Sequence, residues 1–407
     1  MNPRNILVCV SGMSPAVITE TLYALVVKEC PAFVPDEIHV ITTLQGKQKI
    51  LLELLEPAQG VFHAFMRDYL PGRSIRFDAE TVHVIGETRA HKAGPFGQLT
   101  GVSGQVLHEL DDITTENDNK AAANTIYRVL RELKSQPGTR LHASVAGGRK
   151  SMSFYMGHAF SLLADADDQL SHVLVSEPFE NPQLRFYYPP REPKLLSWTD
   201  RQGQAQQVST EQADVKLAHL SVLRLGALLG KDWPEKAQES FEFAVTLAQA
   251  AVQPPRLKVV LSRERDSELY NGSLFLCGET VKLSPLEFVV FAMFALTCHF
   301  QDDPQLFDGA ELEPASLPDT LWETFSNDLR GKRFDSLKKK DFKSIYSRIH
   351  EAMSEVVGSA VAAHFRIETV GKKQAGQQRP YALKVAPERV DISDIKDWWP
   401  LLRKELI

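Results

Sequence analysis

Four cysteines in 407 residues, none in a C-x-x-C pair, leave little from which to build a disulfide framework or a thiolate metal site. Cys9, Cys30, Cys277 and Cys298 read as reduced, buried thiols of a cytoplasmic protein, and no metal or other cofactor is expected. No apolar run approaches the roughly 18 residues of a transmembrane helix, so no membrane association is expected. The opening Met1-Asn2-Pro3-Arg4-Asn5 leads straight into a strand-like run, without the charged and apolar regions of a signal peptide. Positive charge is not in excess: 46 Lys and Arg stand against 52 Asp and Glu, a net charge of -6, which excludes a wholly basic nucleic-acid coat. Several chemical signatures are missing as well. There is no Walker loop, no spaced-glycine dinucleotide fingerprint, no H-E-x-x-H and no G-x-S-x-G.

What is present is enough apolar content, 43%, for real cores, in a chain long enough for two or three domains. The first part alternates strand and helix signals. Strands are expected at 6–10, 37–42, 81–85, 141–145 and 172–175, and helices at 16–28, 47–55, 115–133 and 152–163. Repeated units of this size predict an α/β fold with a Rossmann-like parallel sheet covered on both faces. Ligands in such sheets sit at the carboxyl ends of the strands. Three polar loops lie there: 11–15, 42–46 and 147–151. Residues 178–212, rich in Pro, Gln and Arg, read as a hairpin or extended exit and then a linker, followed by helices over 215–229 and 235–252. The division expected is 1–190 for the first domain, 191–255 for linker and bridging helices, and 256–407 for a C-terminal domain.

The most informative stretch is Ser144-Val145-Ala146-Gly147-Gly148-Arg149-Lys150-Ser151-Met152. A strand that ends in Gly-Gly and opens a helix points several backbone N–H groups at one spot, where the helix dipole favours an anion. Arg149 and Lys150 add charge there, and Gly147 and Gly148 allow positive φ and close approach; a tight turn without ligand uses the same chemistry. Elsewhere Asp111-Asp112 and residues 165–168 read as solvated loops, and His158 as a packed side chain. Arg76 and His83 have the spacing of an Arg-x-His ribonuclease motif, but in a strand-like segment where chance explains them.

The last third differs. Residues 257–262 and 268–277 alternate like strands, with Asn271-Gly272 as a turn signal. Ser284-Pro285-Leu286-Glu287 is a capping box opening a helix to about 298. A helix over 341–357 and a hairpin of 365–370 and 381–385 around a basic loop follow. This order resembles a winged helix–turn–helix domain of the response-regulator type, with a long acidic insertion at 301–331. Lys332, Arg333, Lys338, Lys339, Lys340, Lys343, Arg348, Arg366, Lys372, Lys373 and Arg379 crowd one segment, the electrostatic footprint of DNA binding. A solvated face paired with the acidic loop, or a dimer contact, would use the same charges.

Val8-Cys9-Val10-Ser11-Gly12-Met13-Ser14-Pro15-Ala16-Val17 with Thr19-Glu20, then Thr42-Thr43, then Ala146 through Met152, resemble the CRISPR-associated Rossmann fold (CARF) family over residues 5–175. The resemblance implies a homodimer that binds a cyclic oligoadenylate across its two-fold axis, in antiviral defence. Some members regulate an attached effector; others, the ring nucleases, cleave the ring. It also implies roles: Ser11 and Lys150 match the catalytic serine and lysine of metal-independent ring nucleases. Arg149 would clamp phosphate. Gly12, Met13, Ser14, Pro15, Thr42, Thr43, Gln45, Gly147, Gly148 and Ser151 would form the ligand pocket. Two functions stay open: a ring nuclease giving 2′,3′-cyclic phosphate ends, and a ring-responsive regulator binding DNA through the segment from Lys332 to Arg379. Ring size, four or six adenylates, also stays open. The glycine-rich residues 87–104 are expected to act as a lid.

Overall fold

An apolar strand without alternation needs cover on both faces, and β1 (Arg4–Val10) has it, its last five residues being fully enclosed. The computed structural model describes residues 3–90, 105–200, 202–226, 237–238, 240–263, 270–300, 339–369 and 381–398. These fall into two compact units: Met1–Ala227 with Glu239–Phe241, and Leu228–Gln238 with Glu242–Ile407.

In the first unit β1 is followed by α1 (Ala16–Tyr23), which runs on into a π-helical turn, Ala24–Lys28. Then come β2 (Glu37–Thr42), α2 (Leu44–Glu53), α3 (Val61–Tyr69) and β3 (Val82–Val84). An antiparallel hairpin, β4 (Gly86–Ala90) and β5 (Gln105–Glu109), precedes α4 (Glu116–Lys134) and β6 (Thr139–Ser144). The unit continues with α5 (Lys150–Leu163), β7 (Gln169–Val175), a hairpin of β8 (Leu195–Thr199) and β9 (Ala205–Ser209), and β10 (Val215–His219).

Six strands form one sheet in the order β10-β7-β6-β1-β2-β3. The five from β7 to β3 are parallel, and β10 is antiparallel at the edge. The molecule is thus a mixed α/β protein whose parallel strands follow a doubly wound order, 3-2-1-4-5 in the numbering of such sheets. Leu7, Cys9, Ile38, Val40 and Val173 pack on one face with Ile18, Leu22, Phe62 and Phe65 of α1 and α3. α4 and α5 pack together and against β6 and β1. Burial pushes the Cys9 thiol up to about 12, while Cys30 is exposed and Cys277 and Cys298 are half-buried, not buried as expected; all four cysteines are free.

Three expectations about this unit change. The helix expected over 47–55 starts at Leu44, because Thr43 is its N-cap: Thr43 Oγ1 accepts from Gly46 N–H (3.3 Å), drawing most of the expected loop into the first turn. Residues 215–219 are a strand, not the start of a helix. Val215 and Leu217 alternate with Lys216 and Ala218, and pairing with β7 supplies the backbone partners. Residues 165–168 are not simply a solvated loop. Asp168 is 1% exposed, its carboxylate accepts from Leu141 N–H and Asp165 N–H (both 2.7 Å), and Lys134 Nζ lies 2.7 Å from it.

In the second unit, α6 (Phe241–Val252) starts at the boundary and leads to β11 (Leu257–Arg263), β12 (Tyr270–Leu276) and β13 (Glu279–Lys282). α7 (Pro285–Phe300) opens on the capping box: Ser284 N–H donates to Glu287 Oε2 (3.0 Å) and Glu287 N–H to Ser284 Oγ (3.4 Å). α8 (Lys339–Val357), α9 (Ser359–Ala362), an antiparallel pair of β14 (Ile367–Thr369) and β15 (Tyr381–Leu383), and β16 (Val390–Asp391) complete it. Val259, Leu274, Phe288, Phe291, Ile345 and Phe365 are core residues. Asn271-Gly272 is not a turn. It lies inside β12, opposite Ser262 and Leu261, and a Cβ on Gly272 would overlap the ring of Phe288. The acidic insertion at 301–331, Lys332, Arg333, Lys338 and the basic loop with Lys372, Lys373 and Arg379 lie outside the described residues, as do residues 91–104 of the expected lid.

Candidate functional site

β1 and β6 pair from Arg4 opposite Thr139 to Cys9 opposite Ser144. Both strands end at one level, at the point where the strand order reverses, so the loops after them leave side by side. They meet through glycine. A Cβ on Gly12 would lie 3.1 Å from Gly148 Cα, and one on Gly147 would lie 2.6 Å from Val10 O and 3.1 Å from Ser11 Cα. Gly148, at φ +78°, takes a left-handed conformation that favours glycine. Ser153 Oγ–H donates to Val145 O (2.9 Å) and ties α5 back to the loop.

Helices α1 and α5 open on this crevice without a side-chain cap. Pro15 and Arg149 hold their N-cap positions, and neither first turn contains an acid. Ile18 N–H turns back to Pro15 O (3.1 Å) and Met152 N–H to Arg149 O (2.9 Å), while the N–H groups ahead of them in each first turn, and the positive ends of the dipoles, are left for an outside acceptor. Lys150, the first residue of α5, is exposed and makes no ion pair among the described residues.

A cavity of about 430 Å³ lies between the loops, lined by Gly12, Met13, Ser14, Val17, Thr43, Gln45, Asp112, Ala146, Gly147, Gly148, Arg149 and Met152. Eight of the residues singled out from sequence are brought together here. Thr43 serves also as the α2 cap, and Gln45 is exposed. Five others lie off the lining. Ser11 is 0% exposed, and its hydroxyl donates to Ser14 O at 3.4 Å. Pro15 is buried at the head of α1, and Ser151 is partly exposed in the first turn of α5. Thr42 is enclosed, its Oγ1 occupying the space that a Gly46 side chain would need. Lys150 stands just outside, one residue beyond Arg149.

Arg149 is not a free cation. Its guanidinium grips Asp112 in a two-pronged pair, with Nε donating to Oδ1 at 2.9 Å and Nη2 to Oδ2. That hydrogen bond, helped by Ile113 N–H, holds the Asp112 carboxyl below the usual carboxylate range. No local pattern in the chain marks Asp112 as a site residue, because only tertiary hydrogen bonds bring it in. Leu110 N–H donates to Ile85 O (2.8 Å), and Leu110 O accepts from Leu44 N–H (2.9 Å), which docks the segment after β5 beside α2.

Other candidates resolve differently. His83 is engaged with His39 (2.9 Å), and burial followed by the His39 charge lowers its pKa to about 4. His158 is exposed rather than packed, its ring edge-on to Phe154 and Phe241. Among the described residues no group of three or more His, Cys, Asp or Glu could hold a metal ion, and no helix is long and apolar enough to cross a membrane.

Among solved structures, the chain is similar to Enterococcus italicus Csm6 bound to cyclic hexa-2'-fluoro-hexa-dAMP, at 11% identity and a TM-score of 0.29, over 100% of this chain and 78% of that one. A score this low transfers neither fold nor ligand. No curated protein shows significant similarity to the sequence. The family model of CRISPR-associated protein NE0113 matches residues 14–251. That match takes in α1, the Gly147-Gly148 loop, α5 and the whole of the parallel sheet beyond β1, more than half of the chain: the protein belongs to the CRISPR-associated NE0113 family.

Proposed function

We propose that this protein is a CARF-type member of CRISPR-associated defence that binds a cyclic oligoadenylate, a ring of four adenylates in the first instance, and opens it without a metal. The observation that carries the reading is the meeting of two uncapped helix N-termini and the Gly12–Gly148 contact around one cavity. Backbone N–H groups and a few cations suit a ligand with several phosphates, without making the protein basic overall. The two-fold symmetry of such a ring calls for a second copy of the chain, so the working species is a homodimer.

The chemistry is internal transfer. A ribose 2′-hydroxyl gives up its proton to solvent as its oxygen attacks the phosphorus of its own 3′-phosphodiester, the 5′-oxygen of the next nucleoside leaves and takes up a proton from solvent, and a 2′,3′-cyclic phosphate forms. Protein groups hold the entering and leaving oxygens in line and stabilise charge on the phosphorane. Lys150 supplies the charge. Ser11, enclosed beneath Gly12, contributes through the loop: its hydroxyl holds the Ser14 carbonyl and so shapes the segment that carries Gly12, Met13 and Ser14.

Incubation of radiolabelled cyclic tetra-adenylate with excess protein in EDTA tests this. A linear product with a 2′,3′-cyclic phosphate end is expected, and Lys150→Ala should slow its formation by about 10²- to 10³-fold. Survival of the ring sinks the nuclease reading; cleavage at an unchanged rate by the variant sinks the role of Lys150. A second expectation concerns Asp112→Asn. Freed from an exposed partner worth up to about 1 kcal/mol, Arg149 should tighten ring binding two- to fivefold in calorimetry at low salt. Unchanged affinity would mean that Arg149 does not reach the ligand.

The order β11-β12-β13, capped α7, α8 and the β14–β15 hairpin favours a second reading, a winged helix. In that reading the ring is sensed, not cut, and Lys332 to Arg379 contact DNA. A salt-sensitive shift of promoter DNA, with intact ring, would support it.

A further inference from the structure

A second cavity, of about 510 Å³, shares Met13, Ser14, Val17 and Ala146 with the first. It extends past α1 toward residues 179–187 and lies within the size range of small-molecule sites. On its wall is Glu20 of α1, 8% exposed, whose carboxyl makes no hydrogen bond and no ion pair among the described residues. Its carboxyl thus faces the cavity with no group of the described residues to pair with. The ionisable groups that face the same space are Lys49 and Glu53 of α2, His172 of β7, and Glu180, Arg185 and Tyr187 of the following segment. Glu53 is already engaged, accepting from Tyr187 Oη–H (2.8 Å) with Lys49 Nζ 3.9 Å away. Glu20 is left over.

We propose that this cavity seats an adenine base of the ligand bound in the adjoining crevice, and that Glu20 reads the base, its carboxyl O–H donating to a ring nitrogen and its C=O accepting from the exocyclic amine. The inference rests on the cyclic-oligoadenylate reading above. Adenine presents an acceptor nitrogen beside the N6 amine, the complement of a protonated carboxyl with one donor and one acceptor. An ionised carboxylate has only acceptors and fits no such edge. Burial, and then the charge of Glu180, push the Glu20 carboxyl up to about 8, so the protonated form is the one present at neutral pH. Above that value the donor is lost.

Calorimetry with cyclic tetra-adenylate from pH 6.5 to 9.5 tests the assignment on the full-length protein, Glu20→Gln and Glu20→Ala, with folding checked by circular dichroism. The wild type should lose affinity as pH passes 8, approaching tenfold per unit. Glu20→Gln, whose amide keeps a donor and an acceptor, should bind within about threefold of wild type at neutral pH and show no such loss. Glu20→Ala should bind about tenfold or more weakly at neutral pH. If both variants bind like wild type at every pH, or if Glu20→Gln loses affinity at the same pH as wild type, the role of Glu20 is overturned while ring binding stands. If the wild type binds no ring at any pH, the underlying reading fails and this inference with it.

Discussion

Replacing Lys134 with methionine should remove about 3–5 kcal/mol of stability, the cost of leaving a buried charge without its partner. Lys134 stands at the end of α4 with its side chain 10% exposed, and its ammonium lies 2.7 Å from both Asp165 and Asp168. Asp165 is largely in solvent and is dispensable to the pair. Asp168 is not, because its carboxylate is enclosed and also holds the Leu141 and Asp165 amides. Burial opposes the charge on Lys134, yet the two carboxylates prevail and hold its pKa above the usual lysine value. Urea unfolding followed by circular dichroism should show a much lower midpoint for Lys134→Met, with only part of the loss recovered in Lys134→Met with Asp168→Asn, because an amide removes the charge but can accept only one of the two N–H groups. A single variant within about 1 kcal/mol of wild type would show that the ion pair is not what anchors the end of α4 to the segment before β7.

The second large effect is expected at Gly147. A Cβ there meets Val10 O at 2.6 Å, Val17 Cγ2 at 2.9 Å and Ser11 Cα at 3.1 Å, and two of these three atoms are backbone at the end of β1. Backbone cannot rotate aside as a long side chain does, so Gly147→Ala must push the two loops apart. Overpacking of this kind costs about 1–3 kcal/mol. The consequence for the crevice is greater, since its wall is the loop contact itself; ring binding should fall by at least about 30-fold. Gly203 supplies the comparison. It has φ +81°, and a Cβ there would meet nothing within 4 Å, so Gly203→Ala bears only the left-handed backbone cost, about 1–2 kcal/mol, and leaves binding intact. Equal ring affinity of Gly147→Ala and wild type would remove the close approach of Gly147 to Val10 and Ser11 from the account of the site.

The parallel core was legible in the chain because its strands are apolar runs and its helices carry a 3.6-residue period, both local signals. The expected strand at 37–42 and the helix that opens at Ser284 coincide with β2 and α7. Misreadings arose where a short segment takes its structure from a distant partner. Residues 215–219 become a strand because β7 offers an edge. Gly272 marks the approach of Phe288, not a turn. Asp168 is drawn inward by Lys134, 34 positions earlier in the chain.

The candidate site divides in the same way. Gly147-Gly148 before a helix announced an anion-binding end from local geometry alone, since glycine conformation and helix polarity need no long-range contact. That the loops after β1 and β6 adjoin follows from the register of two strands more than 130 residues apart. The pairing of Arg149 with Asp112, the enclosure of Ser11 and the solitary burial of Glu20 are likewise long-range outcomes. Charge pairing and desolvation depend on what surrounds a side chain in space, and those surroundings exist only once the sheet has closed over its helices.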